Sequence, residues 1–344
     1  MPRNLEEMQF VGFFGIFKQS YKIISSCTEL FAKITLALIL PLSFIFLVHF
    51  EVSSPFSRNN ILNKLALNHS PPATAKFEKL SHLISHETVY LWLFNAACST
   101  LTFILSLLSV AAVVYTTACI YTAQELTFNQ VIISVVPKVW NRLLVTFLCI
   151  LGAMFVYFLV LFLVLVACGA VSLVLISCGI PVGQIQIMGV AVFVILIILF
   201  SVGLFYLITI CLLASIVTVL EEVYGFAAMV KSKNLIKGKI WLAISITFIL
   251  ELAGGLNVIA FRRLVVGGAR MGMANRFVYA IICLLLLSTM SLFRLVIETV
   301  IYFVCKSYHH ENIDKTVLSD HLEVYLQGEY APLKANDVQL FHVD

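Results

Sequence analysis

Three charged residues interrupt stretches that are otherwise apolar. Glu251 lies within "IWLAISITFILELAGGLNVIAF" (240–261), and Arg294 and Glu298 lie within the run 277–304. A charge in lipid costs roughly 2.5–3.5 kcal/mol on insertion scales, so each needs a partner or a role. Arg294 and Glu298 are four apart, which places them on one helix face and within pairing reach. Glu251 meeting Arg294 would neutralise a further costly charge. A cluster of this kind can relay a proton or ion, or line a path for a headgroup or solute. The structural alternative is an interhelical bridge, or side chains that snorkel to the interface.

The other reactive residue types form no recognisable chemistry. His82 and His86 have a spacing compatible with metal on one helix face, but two ligands without a third do not make a zinc site. His309 and His310 are adjacent and do not share a face. The stretch "VVGGARMG" (265–272) lacks the Lys-Ser/Thr of a phosphate loop. No GxSxG, HExxH or DxD pattern occurs, and no two spans carry aspartates. The nine cysteines show no CxxC spacing and read as small buried hydrophobes. The expectation is a protein that is not an enzyme and that holds no metal or cofactor.

A second set of residues stands where the apolar runs break off. "VLEEVYGFAAMVKSKNLIKGK" (219–239) opens with Glu221 and Glu222 and then carries Lys231, Lys233, Lys237 and Lys239. On a helix, Ala228, Met229, Ser232, Leu235 and Ile236 share one side, and Lys233, Asn234 and Lys237 the other. Phe226 and Val230 fall toward the polar side, so the separation is imperfect. A segment like this suits the membrane interface, where each lysine is worth on the order of 1 kcal/mol against anionic headgroups. The four lysines are therefore candidate headgroup contacts. "FFGIFKQSYKII" (13–24) repeats the design: aligning Ser20 with Ser232 places Phe14 on Phe226, Phe17 on Met229 and Ile24 on Ile236. "FNQVIISVVPKVW" (128–140) is a third, weaker copy. An interfacial helix followed by a membrane hairpin, used three times, accounts for all three.

The elements that must position these residues follow from composition. The chain has 344 residues, 61% hydrophobic and 12% charged, with mean hydropathy +1.03. Soluble domains carry about a quarter charged residues, so the solvent here must be largely lipid. A net charge of +4 without a basic patch gives no reason to expect nucleic acid as a partner. Six apolar runs, about 34–50, 89–121, 143–171, 187–220, 240–261 and 277–304, are continuous rather than alternating, which predicts helices and excludes a barrel. The predicted fold is an all-α polytopic membrane helix bundle of about six transmembrane helices plus amphipathic interfacial helices. A cytoplasmic amphipathic segment (1–33), a six-span membrane domain (34–305) and a cytoplasmic tail (306–344) are its parts, with 51–88 a polar outer loop.

Orientation comes from the basic residues. Of the 22 Lys and Arg, Arg294 is inside a span. With the N-terminus in the cytoplasm, 13 of the rest fall on the inner side and 8 on the outer, which favours both termini inside. Asn68, in the sequon Asn68-His69-Ser70, falls in the loop placed outside and is a candidate glycosylation site. The expected location is a secretory-pathway or plasma membrane.

"TLALILPLSFIFLVH" (35–49), "VLEEVYGFAAMVKSKNLIKGK" (219–239) and "HLEVYLQGEYAPLK" (321–334) resemble a family of plant multi-pass membrane proteins with no assigned activity. The acid, Gly-Phe, Ala, Lys-Ser, Leu-Ile, Gly pattern of 221–238 is distantly similar to the membrane domain fused to some glycerophosphodiester phosphodiesterases. No catalytic domain of that type accompanies it, so the resemblance implies an architecture and not a catalyst. Two functions fit: a membrane organiser or adaptor, with the lipid bilayer and a cytosolic protein held through 321–334 as its partners, or a transporter or channel for a small solute or lipid lined by Glu251, Arg294 and Glu298. Oligomeric state is left open by the sequence.

Overall fold

The computed structural model describes residues 10–52, 75–122, 128–131, 136–179, 181–221, 223–268 and 272–309. The side chains of 75–85, 129, 136, 138, 182 and 185 lie outside that description, as do Asn68, Glu222 and the tail stretch 321–334. The helices are α1 (Phe13–Ser26), α2 (Thr28–Val52), α3 (Ala75–Thr122), α4 (Val136–Ser177), α5 (Val182–Leu220), α6 (Gly225–Ile236), α7 (Ile240–Val266) and α8 (Met273–Tyr308). No strand occurs among the described residues. Six helices, α2, α3, α4, α5, α7 and α8, contain a segment long and apolar enough to cross a bilayer. In lipid a backbone amide finds no water, so apolar runs of this length close their hydrogen bonds internally as helices. The molecule is an all-α bundle of an integral membrane protein.

The six helices contain the six apolar runs but extend past them. α3 begins at Ala75, inside the stretch expected to be loop. "AKFEKLSHLISHET" (75–88) is polar, which hides it from a hydropathy reading. It is also built largely of good helix formers with no proline or glycine, so the helix simply continues. Of the third interfacial copy, 132–135 lie outside the described residues. Phe128–Gln130 makes one turn, and Val136 already belongs to α4. Pro137 sits in the first turn of α4, where its missing N–H has no intrahelical role and its fixed φ favours starting a helix.

Pro41 shapes α2 through the turn before it. Residues Thr35–Ile39 form a π-turn, in which the Leu40 amide reaches back five residues to the Thr35 carbonyl. The wider turn takes up the disruption a proline ring causes in the preceding turn. A second π-turn, Arg262–Val266, ends α7.

Between α4 and α5 the chain reverses tightly. Gly179 takes φ 83°, a left-handed conformation natural to glycine at a helix C-terminus, and its amide bonds the Ile176 carbonyl at 3.0 Å. Pro181 then precedes α5.

Packing is concentrated at one end. Ala111–Tyr115 of α3, Leu213–Val217 of α5 and Val296–Cys305 of α8 are almost entirely buried there, together with the inner faces of α1 and α6. α1 packs on α8, and α6 packs on α4 and α5. α1 therefore leans on the last span and not on the pair it introduces, whereas α6 leans on α4 and α5 and also meets α8 of its own pair. The far halves of α4 and α5, from Phe155 and up to Leu199, expose Leu, Val, Ile and Phe to their surroundings.

Candidate functional site

α8 carries four polar residues at successive four-residue steps: Arg294, Glu298, Tyr302 and Lys306. That spacing is close to the helical repeat, so they form one gently drifting stripe. Two ion clusters are strung along it.

The deeper cluster joins α7 to α8. Arg294 Nε donates to Glu298 Oε1 at 2.7 Å, and Arg294 Nη2 lies 2.7 Å from Glu251 Oε1. The three residues singled out by charge thus meet, with Arg294 bridging two carboxylates. Glu298 is buried, and the other two are about two-thirds buried. Glu251 sits eleven residues into α7, about 16 Å along the axis from the start of a 240–261 run that is itself about a bilayer core in length. The guanidinium cannot lose its proton, so with both acids ionised the cluster keeps one surplus negative charge.

The shallower cluster gathers around Glu221, the residue that ends α5. Tyr302 donates its hydroxyl to Glu221 Oε1 at 2.6 Å. Lys306 Nζ donates to the same oxygen at 2.8 Å and to the Tyr302 hydroxyl at 3.2 Å. Lys231 of α6 lies 2.5 Å from Glu221 Oε2. One carboxylate therefore ties α5, α6 and α8 together. Burial raises the Glu221 pKa, but hydrogen bonds from Lys231, Lys306 and Tyr302 outweigh it and hold the carboxyl below its ordinary value.

That depression has a definite sign for stability. A carboxylate held low when folded contributes fully above its unfolded value of 4.5, and the contribution is lost as pH falls through the lower folded value. Glu221→Gln is expected to flatten the acid side of the stability profile, read by thermal unfolding in detergent from about pH 7 down to about pH 3. An unchanged slope would remove Glu221 from the energetics of the junction.

α6 is fastened to the bundle at several points. Its first amide, on Gly225, donates to Thr146 Oγ1 of α4 at 2.8 Å, and that hydroxyl also meets Thr218 Oγ1 of α5 at 2.9 Å. The fully buried Ser232 donates to the Ile210 carbonyl of α5 at 2.8 Å. At the far end His309 Nε2 lies 3.1 Å from the Leu235 carbonyl and 2.9 Å from the Lys237 carbonyl. Both are acceptors, so this nitrogen carries the proton. Lys239 Nζ stands 5.4 Å over the Tyr308 ring.

The candidate headgroup lysines thus divide. Lys231 and Lys239 are half-buried in contacts within the protein, while Lys233 and Lys237 are exposed. Ala228, Met229, Ser232, Leu235 and Ile236 form the buried face of α6, and Phe226 and Val230 share the outer face with Lys233 and Lys237. α1 matches this: Ile16, Ser20 and Ile23 are buried, and Phe14, Lys18 and Tyr21 point outward.

Other polar residues and glycines find plainer places. Asn95 Oδ1 meets His49 Nε2 of α2 at 3.0 Å. Gly254 and Gly255 have open space beside them. His86 is exposed beside Tyr90, and His82's side chain lies outside the described residues. Among the described residues no group of three potential metal ligands occurs.

Tyr302 and Lys306 were not selected by sequence reasoning, although their four-residue steps from Glu298 were a readable signal. Glu51 was missed too. It pairs with Arg276 at 3.2 Å and links α2 to α8 at the other end of the bundle, where Arg276 Nε also donates to the Val265 carbonyl at 2.8 Å.

Fold and site together define an integral membrane protein with six candidate spans, the last two of which are joined by an ion cluster. The chain belongs to a family described as a domain of unknown function (DUF8558), whose model matches residues 1–343. No curated protein and no solved structure matches it significantly.

Proposed function

We propose that this protein is a non-enzymatic membrane organiser. α1 and α6 form a platform at headgroup level that gathers anionic lipid, and the tail segment 321–334 recruits a cytosolic partner. The observation that carries the reading is the matching outward face of the two short helices. Phe14, Lys18 and Tyr21 on α1 correspond to Phe226, Val230 and Lys233 on α6, while the opposite faces are buried. Aromatic and aliphatic groups beside lysines suit the boundary between acyl chains and headgroups. Both termini are then cytoplasmic, and the platform lies on the inner leaflet of a secretory-pathway or plasma membrane. Resemblance to a plant multi-pass family supports this architecture.

The test uses the full chain in nanodiscs of mixed anionic and zwitterionic lipid. Each interfacial lysine is worth on the order of 1 kcal/mol, so converting Lys18, Lys22, Lys233 and Lys237 to Gln together is expected to lower preferential retention of anionic lipid by more than about tenfold. Retention that stays unchanged sinks the platform. Deleting 321–334 is expected to abolish partner capture while leaving lipid retention alone.

A second reading, a transporter or channel for a small solute or lipid, is favoured by one observation: Glu251, Arg294 and Glu298 are in contact between two helices long and apolar enough to cross a membrane. It predicts that Glu251→Gln or Glu298→Gln abolishes flux in proteoliposomes at unchanged expression. The organiser tolerates both changes.

A further inference from the structure

Glu251, Gly254 and Asn257 follow one another at three-residue steps along α7, so Gly254 falls between the other two around the helix. Both neighbours reach across to α8. Glu251 meets Arg294, and Asn257 Nδ2 donates to the Cys283 carbonyl at 3.4 Å. Thr247 and Phe261, seven residues before and after Gly254, share its face and are buried. A Cβ added to Gly254 nevertheless meets nothing within 4 Å. The two helices touch at both contacts and leave a gap between them. The contacts are six residues apart, about 9 Å along the axis, which limits what the gap can hold.

Both ends of the gap are polar. At one end, Arg294 serves two carboxylates, so with both acids ionised one negative charge is unmatched. Among the described residues no lysine and no second arginine pairs with them. Glu251 and Arg294 keep side-chain exposures of 35% and 31% although each lies in a helix apolar enough to cross a membrane. At the other end, Asn257 Oδ1 is buried and accepts no hydrogen bond. A buried acceptor without a donor is unfavourable, so hydrocarbon is a poor occupant here. A proton on the cluster would cancel the charge but leave the gap and the Asn257 acceptor as they are. Hard divalent cations take roughly six or more oxygen ligands, and among the described residues no group of three potential metal ligands occurs. A primary ammonium is compact and positive and has three donors and no acceptor. Its carbon stem suits the bare Gly254 wall.

We infer that this gap binds a primary ammonium group, carried by a small free amine or by an amine-bearing lipid headgroup, which supplies the charge that Glu251, Arg294 and Glu298 lack. The inference names a ligand class for the transporter reading but rests on charge and shape. Binding without flux would leave it standing and remove the transporter.

Thermal unfolding of the full chain in detergent, with n-propylammonium chloride as the probe, tests it. A saturable rise in the unfolding midpoint is expected, with none from propan-1-ol or from sodium chloride at the same concentration. Glu251→Gln should weaken the apparent affinity by at least about tenfold, because a charged partner is lost. Gly254→Leu should abolish the response and leave the protein folded, since its side chain enters open space. Gly152→Leu, equally open but on α4, should respond as the parent does. If Gly254→Leu does not fold, Glu251→Gln decides. Native mass spectrometry from nanodiscs separates the two sources. Enrichment of an ethanolamine lipid over a glycerol lipid, lost in Glu251→Gln, assigns the ammonium to a headgroup; a propylammonium response without that enrichment assigns it to a free amine. No saturable response and no enrichment overturns the inference. So does a response matched by sodium chloride, or one that Glu251→Gln leaves unchanged.

Discussion

Arg294→Leu is expected to destabilise the bundle by about 3–5 kcal/mol, the loss typical when one partner of a buried ion pair is removed. The cause is what remains. Glu298 is buried and has Arg294 as its close cationic partner, and Glu251 has the same guanidinium at 2.7 Å. Without it, two carboxylates face each other, one of them buried. The acid variants should behave differently. Glu251→Gln takes away the surplus negative charge and leaves a balanced Arg294–Glu298 pair with a glutamine still able to accept a hydrogen bond, so its expected cost is within about 1 kcal/mol. Combining Arg294→Leu with Glu251→Gln and Glu298→Gln should recover most of the loss, because no unpaired charge is left. Unfolding in detergent by heat, followed by size-exclusion fluorescence, orders the four proteins. If Arg294→Leu matched the parent, the cluster would be ornamental. The same variants separate stability from function: transport predicts that Glu251→Gln stays folded and loses flux.

How much of this was readable beforehand depends on the range of each interaction. The Arg294–Glu298 pair is local, four residues apart on one helix, and the sequence alone placed it. Glu251 reaching Arg294 was anticipated only from the expense of leaving either charge alone in lipid. The Glu221 junction was not anticipated. The residues are conspicuous one by one, but the junction exists because the α5–α6 link folds back against α8, some eighty residues further on.

The alignment of Ser20 with Ser232 brought together two fully buried serines on matching helices, yet they act differently. Ser20 bonds the Ile16 carbonyl of its own helix, and Ser232 crosses to Ile210 of α5. Helical periodicity identifies a buried face without saying what covers it. Phe226 and Val230 looked like flaws in the amphipathic pattern, and they are exposed on the outer face. Gly254 and Gly255 show the same limit. A glycine permits close approach, and nothing in a single helix says whether a neighbour uses it.

Gly238 is the second position where a small change should have a large effect. It turns the chain from α6 into α7 with φ 92°, a conformation that costs a residue with a Cβ about 1–2 kcal/mol. An added Cβ would also strike the Tyr308 ring at Cε1, Cζ and Oη. That ring is partly exposed, so its retreat is opposed by its contacts and not by surrounding packing. Lys239 stacks over it, and the next residue, His309, is held between the Leu235 and Lys237 carbonyls on either side of the turn. Displacing Tyr308 therefore disturbs the clamp that fixes α6 to the end of α8. Strain and displaced packing together put Gly238→Ala at roughly 2–4 kcal/mol. The two parts can be divided. Tyr308→Ala removes the collision but not the backbone strain, so Gly238→Ala should cost less in that background than it does in the parent. Gly238→Asn, which tolerates positive φ, should cost less than its size alone would imply. Protease cleavage near 237–239 in detergent reports on the clamp separately from global unfolding. A Gly238→Ala protein as stable and as resistant as the parent would mean that the contacts of Gly225, Ser232 and Glu221 suffice to hold α6. The end of α8 would then have no part in setting the position of α6.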